Sequence, residues 1–208
     1  MEWRLQSERS LALCRFQDGE TISDRDIHGI LLRKPSFEWS QESPAVDTIY
    51  LRAEKEAALL GWIRSLNCPV INRYPAEVWF APIDSLDYWR GRLEPFGLEP
   101  ERRFLRETIK SYRVSVVGSK VIWDEGAPVS LRSVDVSLVQ FARSLGLTYV
   151  EYRIADSADK PRVAAVEPFP SYREFCLSGR QEIIKELMVQ LTTSENAALA
   201  RTAPDSWF

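Results

Sequence analysis

Between Ser111 and Trp123 the chain reads Ser-Tyr-Arg-Val-Ser-Val-Val, then Gly-Ser, then Lys-Val-Ile-Trp. Two runs rich in β-branched residues, joined by Gly-X, are the chemistry of a β-hairpin closed by a two-residue II′ turn. A hairpin here commits the second half of the chain to antiparallel pairing. Its neighbours fit around it. Ser133 is placed to cap a helix whose apolar face is Val134, Leu138, Phe141 and Leu145, closed by Gly146. Residues 148–154 and 162–167 read as two strands joined by the polar turn 156–160, and residues 181–191 as a helix burying Ile184, Leu187, Met188 and Leu191. This half is expected to be an antiparallel sheet backed by helices.

The first half reads differently. Residues 11–16 make a strand followed by the turn Asp18-Gly19, and Gly29-Ile30-Leu31-Leu32 is apolar enough for a buried strand that Pro35 ends. Ser43-Pro44 opens a helix running to about Leu66, with Val46, Ile49, Tyr50, Ala53, Ala57 and Leu60 on one apolar face. A short strand, residues 69–72, follows. A helix over residues 84–96 carries Leu86, Trp89, Leu93 and Phe96, with Gly97 at its C′ position. Alternating strands and helices favour a parallel α/β layer. The charged stretch 99–110 looks like a linker, and residues 192–208 look like a loose tail.

Composition excludes several classes of function. Net charge is −3 with both signs scattered, so no basic stripe marks a nucleic-acid surface. No apolar run approaches the ~20 residues of a membrane span, and the opening residues contain no signal-peptide core. Cys14, Cys68 and Cys176 are odd in number and far apart, which argues against a disulfide framework and for a reducing, cytoplasmic setting; locally each reads as a small core apolar residue. The one histidine, His28, has no Ser, Cys or second His with which to build a triad, and reads as a structural or surface imidazole.

Several segments, taken in order, resemble one family. Residues 26–35, Asp-Ile-His-Gly-Ile-Leu-Leu-Arg-Lys-Pro, are similar to the strand and basic-Pro turn in the N-terminal domain of ATP-grasp enzymes that modify peptides. Tyr50, Glu54, Ala57 and Ala58 match the helix after that turn. Cys68-Pro69-Val70-Ile71-Asn72-Arg73 resembles the strand ending in Asn, and Gly97-Leu98-Glu99-Pro100 the step before the ATP lid. Residues 112–121 resemble the Asp-x-Arg hairpin, Leu145-Gly146-Leu147 with the next strand the metal-bearing strand, and Val166-Glu167-Pro168-Phe169-Pro170 the Glu-x-Asn strand. By these segments, collinear over most of residues 20–191, the chain resembles the RimK-like ATP-grasp ligases. The resemblance implies an α/β fold in two parts: a small Rossmann-like part over residues 1–100 and a reduced ATP-grasp core over residues 101–191.

The departures from the family pattern imply a truncated and degenerate member. The family's lid, with two lysines and a Gly-rich loop for the nucleotide phosphates, is matched only by the glycine-free stretch 99–110, and the chain begins near the family's second strand. Arg153 stands where the family has a metal-binding Asp, Phe169 where it has Asn, and Ser111 where Asp-x-Arg has Asp. A guanidinium and a phenyl ring cannot ligate magnesium. Glu167 survives, with Glu151 on the neighbouring strand. The two could hold one metal, or Glu151 could pair with Arg153 or Arg162 on a sheet surface; the second reading is preferred.

Arg113 matches the family Arg that faces a phosphate or substrate carboxylate, a task suited to a guanidinium; read from the hairpin alone it is an outward-facing residue. With Lys120 it is the candidate for catalysis. Arg33, Lys34, Asn72 and Arg73 end strands at the expected carboxyl edge of a parallel sheet, where such folds bind ligands, and are the ligand-binding candidates. Trp39, Trp79 and Trp89 either form a partner surface or fill the core, and Trp207-Phe208 could be a sticky end or fold back on its own domain. The expected function is that of a non-catalytic accessory or recognition protein, binding a peptide, a partner enzyme or another copy of itself, with no cofactor. The alternative is a minimal carboxylate–amine ligase dependent on ATP and magnesium, acting on a peptide or amino acid.

Overall fold

The computed structural model describes residues 2–6, 11–15, 19–23, 26–33, 45–82, 85–101, 110–157 and 159–192, with backbone alone for 2–6, 11–15 and 45–49. Contacts divide the chain into two compact units, Met1–Val70 with Leu191–Phe208, and Ile71–Gln190. The parts 1–100 and 101–191 implied by the resemblance follow segment order, not contacts.

In the first unit, β1 (Glu2–Gln6), β2 (Leu11–Arg15) and β3 (Thr21–Ser23) form an antiparallel sheet in that order, with Trp3 opposite Cys14 and Leu13 opposite Ser23. The expected parallel layer is therefore confined to β4 (Ile30–Leu31) and β5 (Val70–Ile71). These are only half-buried at Ile30 and Leu31, not the buried strand expected, and His28 before them is exposed.

Helix α1 (Ala45–Ser65) covers the span the sequence suggests and buries Leu60 as expected, while the side chains of Val46 and Ile49 lie outside the description and the remaining expected residues turn outward. Ile63, Leu66, Cys68 and Val70 form a core against Ile27, Ile30, Leu32, Leu59 and Trp62. Tyr50, 64% exposed, Ala53 and Ala57 face solvent. Burying Leu and Ile removes far more apolar surface than burying Ala, so the larger side chains set the helix's rotation.

The second unit is built on a four-stranded antiparallel sheet, β7-β6-β8-β9, from β6 (Ser111–Val117), β7 (Lys120–Trp123), β8 (Tyr149–Ala155) and β9 (Arg162–Glu167). The hairpin register pairs Val117 with Lys120, and Gly118 has φ +62°, which a glycine adopts freely. One face of the sheet carries Val114, Val116, Val150, Tyr152, Ile154, Val163 and Val166, all buried. Against it lies α4 (Asp135–Ser144) through Leu138 and Phe141. The Phe141 ring is 6.3 Å from that of Tyr152, whose hydroxyl donates to the Leu138 carbonyl.

Trp89 and Leu93 of α3 (Leu86–Leu93) extend this core, so Trp89 is a core residue; so is Trp79, in the short α2 (Ala76–Trp79). Gly97 closes the α3 segment with φ +69°, as expected.

Two expectations here are corrected. Ser133 does not cap α4: its hydroxyl donates to the Ser130 carbonyl within a preceding 3₁₀ turn, and the N-cap position is Val134, which offers no side-chain acceptor. In α5 (Leu177–Thr192) the buried stripe is Gly179, Ile183 and Leu187, leaving Ile184 and Met188 about half exposed. Leu187 is buried as expected, and a Cβ on Gly179 would lie 3.3 Å from the Phe175 ring, so the helix approaches that ring closely.

Candidate functional site

Side chains alternate across a strand, so the register that buries the valines sends the intervening residues to the opposite face. Ser115 lies opposite Glu151, and Glu151 opposite Glu167; in the next row Arg113 lies opposite Arg153, and Arg153 opposite Ala165. Like charges directly opposite one another destabilise a sheet. Here a Glu–Glu row adjoins an Arg–Arg row, so each charge has an opposite charge diagonal to it or two residues along its own strand.

Two further segments complete the cluster. Glu174, in the loop between β9 and α5, is ion-paired with Arg113, and the same carboxylate oxygen lies 3.7 Å from the Arg153 guanidinium. The Glu151 carboxylate, 5% exposed, accepts the Tyr149 hydroxyl at 2.6 Å and the Tyr172 backbone N–H at 2.8 Å. Asp124, just past β7, accepts the Cys176 N–H. Burial, then the adjacent Arg153, pull the Arg113 pKa down; Glu151, Glu167 and Asp124 oppose that fall. Burial first, then the charge and hydrogen bond of Glu151, push the Tyr149 pKa above its ordinary range.

The second cluster is neutral and centred on Asn72, 1% exposed. Its Oδ1 accepts the backbone N–H groups of Thr148 and Tyr149, and its Nδ2 donates to the Tyr149 carbonyl and to the Tyr74 hydroxyl. Tyr74 in turn donates to the Pro168 carbonyl. All four hydrogen-bonding positions of the amide thus hold the chain's own groups, fixing the start of β8 beside the end of β9. Phe169 turns its ring onto Tyr74 at 4.4 Å and Trp79 at 5.6 Å.

The sequence candidates therefore fall in different places. Arg113, Glu151 and Glu167 are brought together with Arg153. Lys120, at the hairpin end, pairs with Glu182 and Glu186 of α5. Asn72 is committed to backbone, Arg73 next to it is half-buried, and Arg33 lies exposed in the first unit. Lys34, Trp39 and Trp207-Phe208 lie outside the described residues. Cys68 is a buried core residue as expected, whereas Cys176 is half-buried at the start of α5; of Cys14 only the backbone is described.

The sequence did not single out Glu174, Tyr172, Tyr149 or Asp124. Tyr149 could have been found, since Tyr149, Glu151 and Arg153 share a face at period two. Glu174 sits on a loop and carries no periodic signal.

A magnesium ion requires several hard oxygen donors in octahedral order. At this face one Glu151 oxygen already accepts two hydrogen bonds and Arg153 brings a positive charge, while Phe169 packs into the other cluster and has no donor to bring. Among the described residues no three His, Cys, Asp or Glu side chains are grouped to hold a metal. The donor set does not fit the ion.

No family model and no curated protein matches the sequence. Solved structures do match. The macrocyclase MdnC from Microcystis aeruginosa MRC, bound with precursor peptide MdnA, superposes with TM-score 0.64 over 90% of this chain and 86% of its own, at 11% identity. A Chryseobacterium gregarium RiPP-associated ATP-grasp ligase, in complex with ADP and a leader and core peptide, gives 0.59 over 98% and 85%, at 12% identity. The ATP-grasp ligase PsnB, complexed with precursor peptide PsnA2 and AMPPNP, gives 0.56 over 89% and 86%, at 15% identity. At these identities the likeness is one of fold, and it agrees with the sequence resemblance: this chain is built on the fold of the peptide-modifying ATP-grasp ligases.

Proposed function

We propose that the chain is a non-catalytic recognition protein on the ATP-grasp fold, and that what it recognises is a peptide. The observation that carries this reading is the Arg113–Arg153 pair, held by Glu174 beside the Glu151–Glu167 row. The cations beside these carboxylates are part of the chain. A nucleotide–magnesium complex would have to enter a face whose two guanidinium groups are already engaged by the chain's own Glu174. The peptide is suggested by the likeness to structures solved with precursor peptides bound. No cofactor enters this reading. Ligand contacts at Arg33, Lys34 and Arg73 and pairing with a second copy stay within it. No described helix is long and apolar enough to cross a membrane; the cytoplasmic setting rests on the scattered cysteines.

The test is a calorimetric titration with ATP and magnesium. No heat of binding at millimolar nucleotide is expected. A micromolar dissociation constant, lost in Glu167→Ala, would overturn the reading. It would favour instead a carboxylate–amine ligase in which the facing Glu151 and Glu167 hold the metal, with Arg113 and Lys120 acting on the reacting groups.

A further inference from the structure

Arg113 and Arg153 face each other on adjacent strands and converge on one carboxylate oxygen, which belongs to the chain itself. Two guanidinium groups converging in this way make an anion receptor, because each offers a planar fork of N–H donors. The residue filling it comes from neither strand nor helix. Glu174 stands in the loop after β9, and its side chain is 59% exposed although Arg113 beneath it is only 20% exposed.

The loop is held over the polar face by the Glu174 carboxylate, by the Tyr172 N–H on Glu151 and, at its end, by the Cys176 N–H on Asp124. At the first of these anchors along the chain, Tyr172 adopts φ +47°, the left-handed region that disfavours a residue with a Cβ. The loop is thus kept in a conformation its own backbone disfavours, by contacts to groups that could serve a ligand.

We propose that Glu174 is an intramolecular stopper: the loop over Tyr172 and Glu174 keeps the Arg113–Arg153 pair filled with its own carboxylate, and an acidic side chain of an incoming peptide must displace it to bind. This rests on the peptide-recognition reading above and on the carboxylate-facing role that the family resemblance implies for Arg113, and adds to them a closed resting state. The ligand class follows from the occupant, a side-chain carboxylate presented on a loop. The stopper is modest in strength. A partly exposed ion pair biases a two-state equilibrium by roughly tenfold or less, and the apparent affinity of a competing ligand falls by the same fraction.

The experiment measures binding of a fluorescently labelled hexaglutamate peptide by anisotropy at low salt. The proteins are the full chain, Glu174→Gln, Glu174→Gln with Arg153→Gln, and Glu77→Gln, which removes an equal charge at an exposed site on α2. Glu174→Gln is expected to bind about tenfold more tightly than the unaltered chain, and the added Arg153→Gln to abolish that gain. Glu77→Gln is expected to change nothing. Equal affinity for the unaltered chain and Glu174→Gln would overturn the stopper, as would a gain that survives Arg153→Gln or appears equally in Glu77→Gln.

Competition by inorganic phosphate at concentrations equal to the peptide would overturn the peptide carboxylate as ligand, in favour of a small free oxyanion. Thermal unfolding of each variant confirms that it is folded. Amide exchange adds a second reading, since the Tyr172 N–H is expected to exchange faster in Glu174→Gln even without ligand. Failure here leaves the nucleotide titration untouched, so this proposal and the recognition reading can fall separately.

Discussion

The two faces of the β7-β6-β8-β9 sheet are made by alternate residues of the same strands, yet different forces hold them. The face under α4 is a close-packed layer of Val114, Val116, Tyr152, Ile154, Val163 and Val166, whose attraction does not depend on direction. The opposite face carries Arg113, Glu151, Arg153 and Glu167, whose interactions change sign with neighbour identity. A slip of β8 by one residue would exchange its faces, burying Glu151 and Arg153 under α4. The apolar face therefore fixes the register, and the register in turn places the charges. Function can change on one face while the other keeps the fold.

That division can be broken or sharpened by experiment, and the largest effect belongs to the apolar face. Phe141→Ala is expected to cost about 4 kcal/mol in denaturant unfolding, since Phe141 is fully buried between Trp89, Phe96 and Tyr152. A loss below about 2 kcal/mol would mean that α4 is not the sheet's main support. Asn72→Ala, which leaves two backbone N–H groups, a carbonyl and the Tyr74 hydroxyl short of a partner, is expected to cost about 3 kcal/mol. Neutral behaviour would show that water takes over those bonds.

The tyrosines probe both faces at once. Burial raises the pKa of Tyr152 on the apolar face, and burial with Glu151 raises that of Tyr149 on the polar face. Above the ordinary value near 10, the unfolded tyrosines lose protons that the folded ones keep. Their stabilising contribution is therefore complete below that pH and declines as pH rises past it. Tyr149→Phe and Tyr152→Phe should each flatten the decline of unfolding free energy by about 1.4 kcal/mol per pH unit. An unchanged slope in either variant would show that its tyrosine titrates alike in both states.

Smaller effects follow on the polar side. Glu151→Gln keeps an acceptor but loses the charge, and should cost about 1–2 kcal/mol. Arg153→Gln, at a half-exposed position, should change stability by less than about 0.5 kcal/mol. A large loss at Arg153 would mean that the charged face supports the fold after all.

Parts of this arrangement were legible in the sequence and parts were not, for identifiable reasons. The hairpin was legible because β-branched residues flank a glycine that the turn requires, and Arg113, Glu151 and Glu167 because period-two spacing and the family resemblance agree on them. The strand Glu2–Gln6 alternates polar and apolar residues, but five residues are too few to stand out. The rotation of α5 was not legible because Ile183/Leu187 and Ile184/Met188 are both spaced by four, so periodicity alone fits either pair. Glu174 was hidden because a loop has no period. Asn72 was visible as a strand end, but its backbone partners were not, because they lie far along the chain.

That distance has a kinetic consequence. Asn72 joins backbone groups 77 positions away, so its bonds close a long loop and can form only after most chain entropy has been lost. Groups that join late contribute little to the folding transition state. Replacing Asn72 should leave the rate of folding nearly unchanged and let the native protein come apart faster, so that this one amide governs how long the molecule lasts more than how quickly it forms.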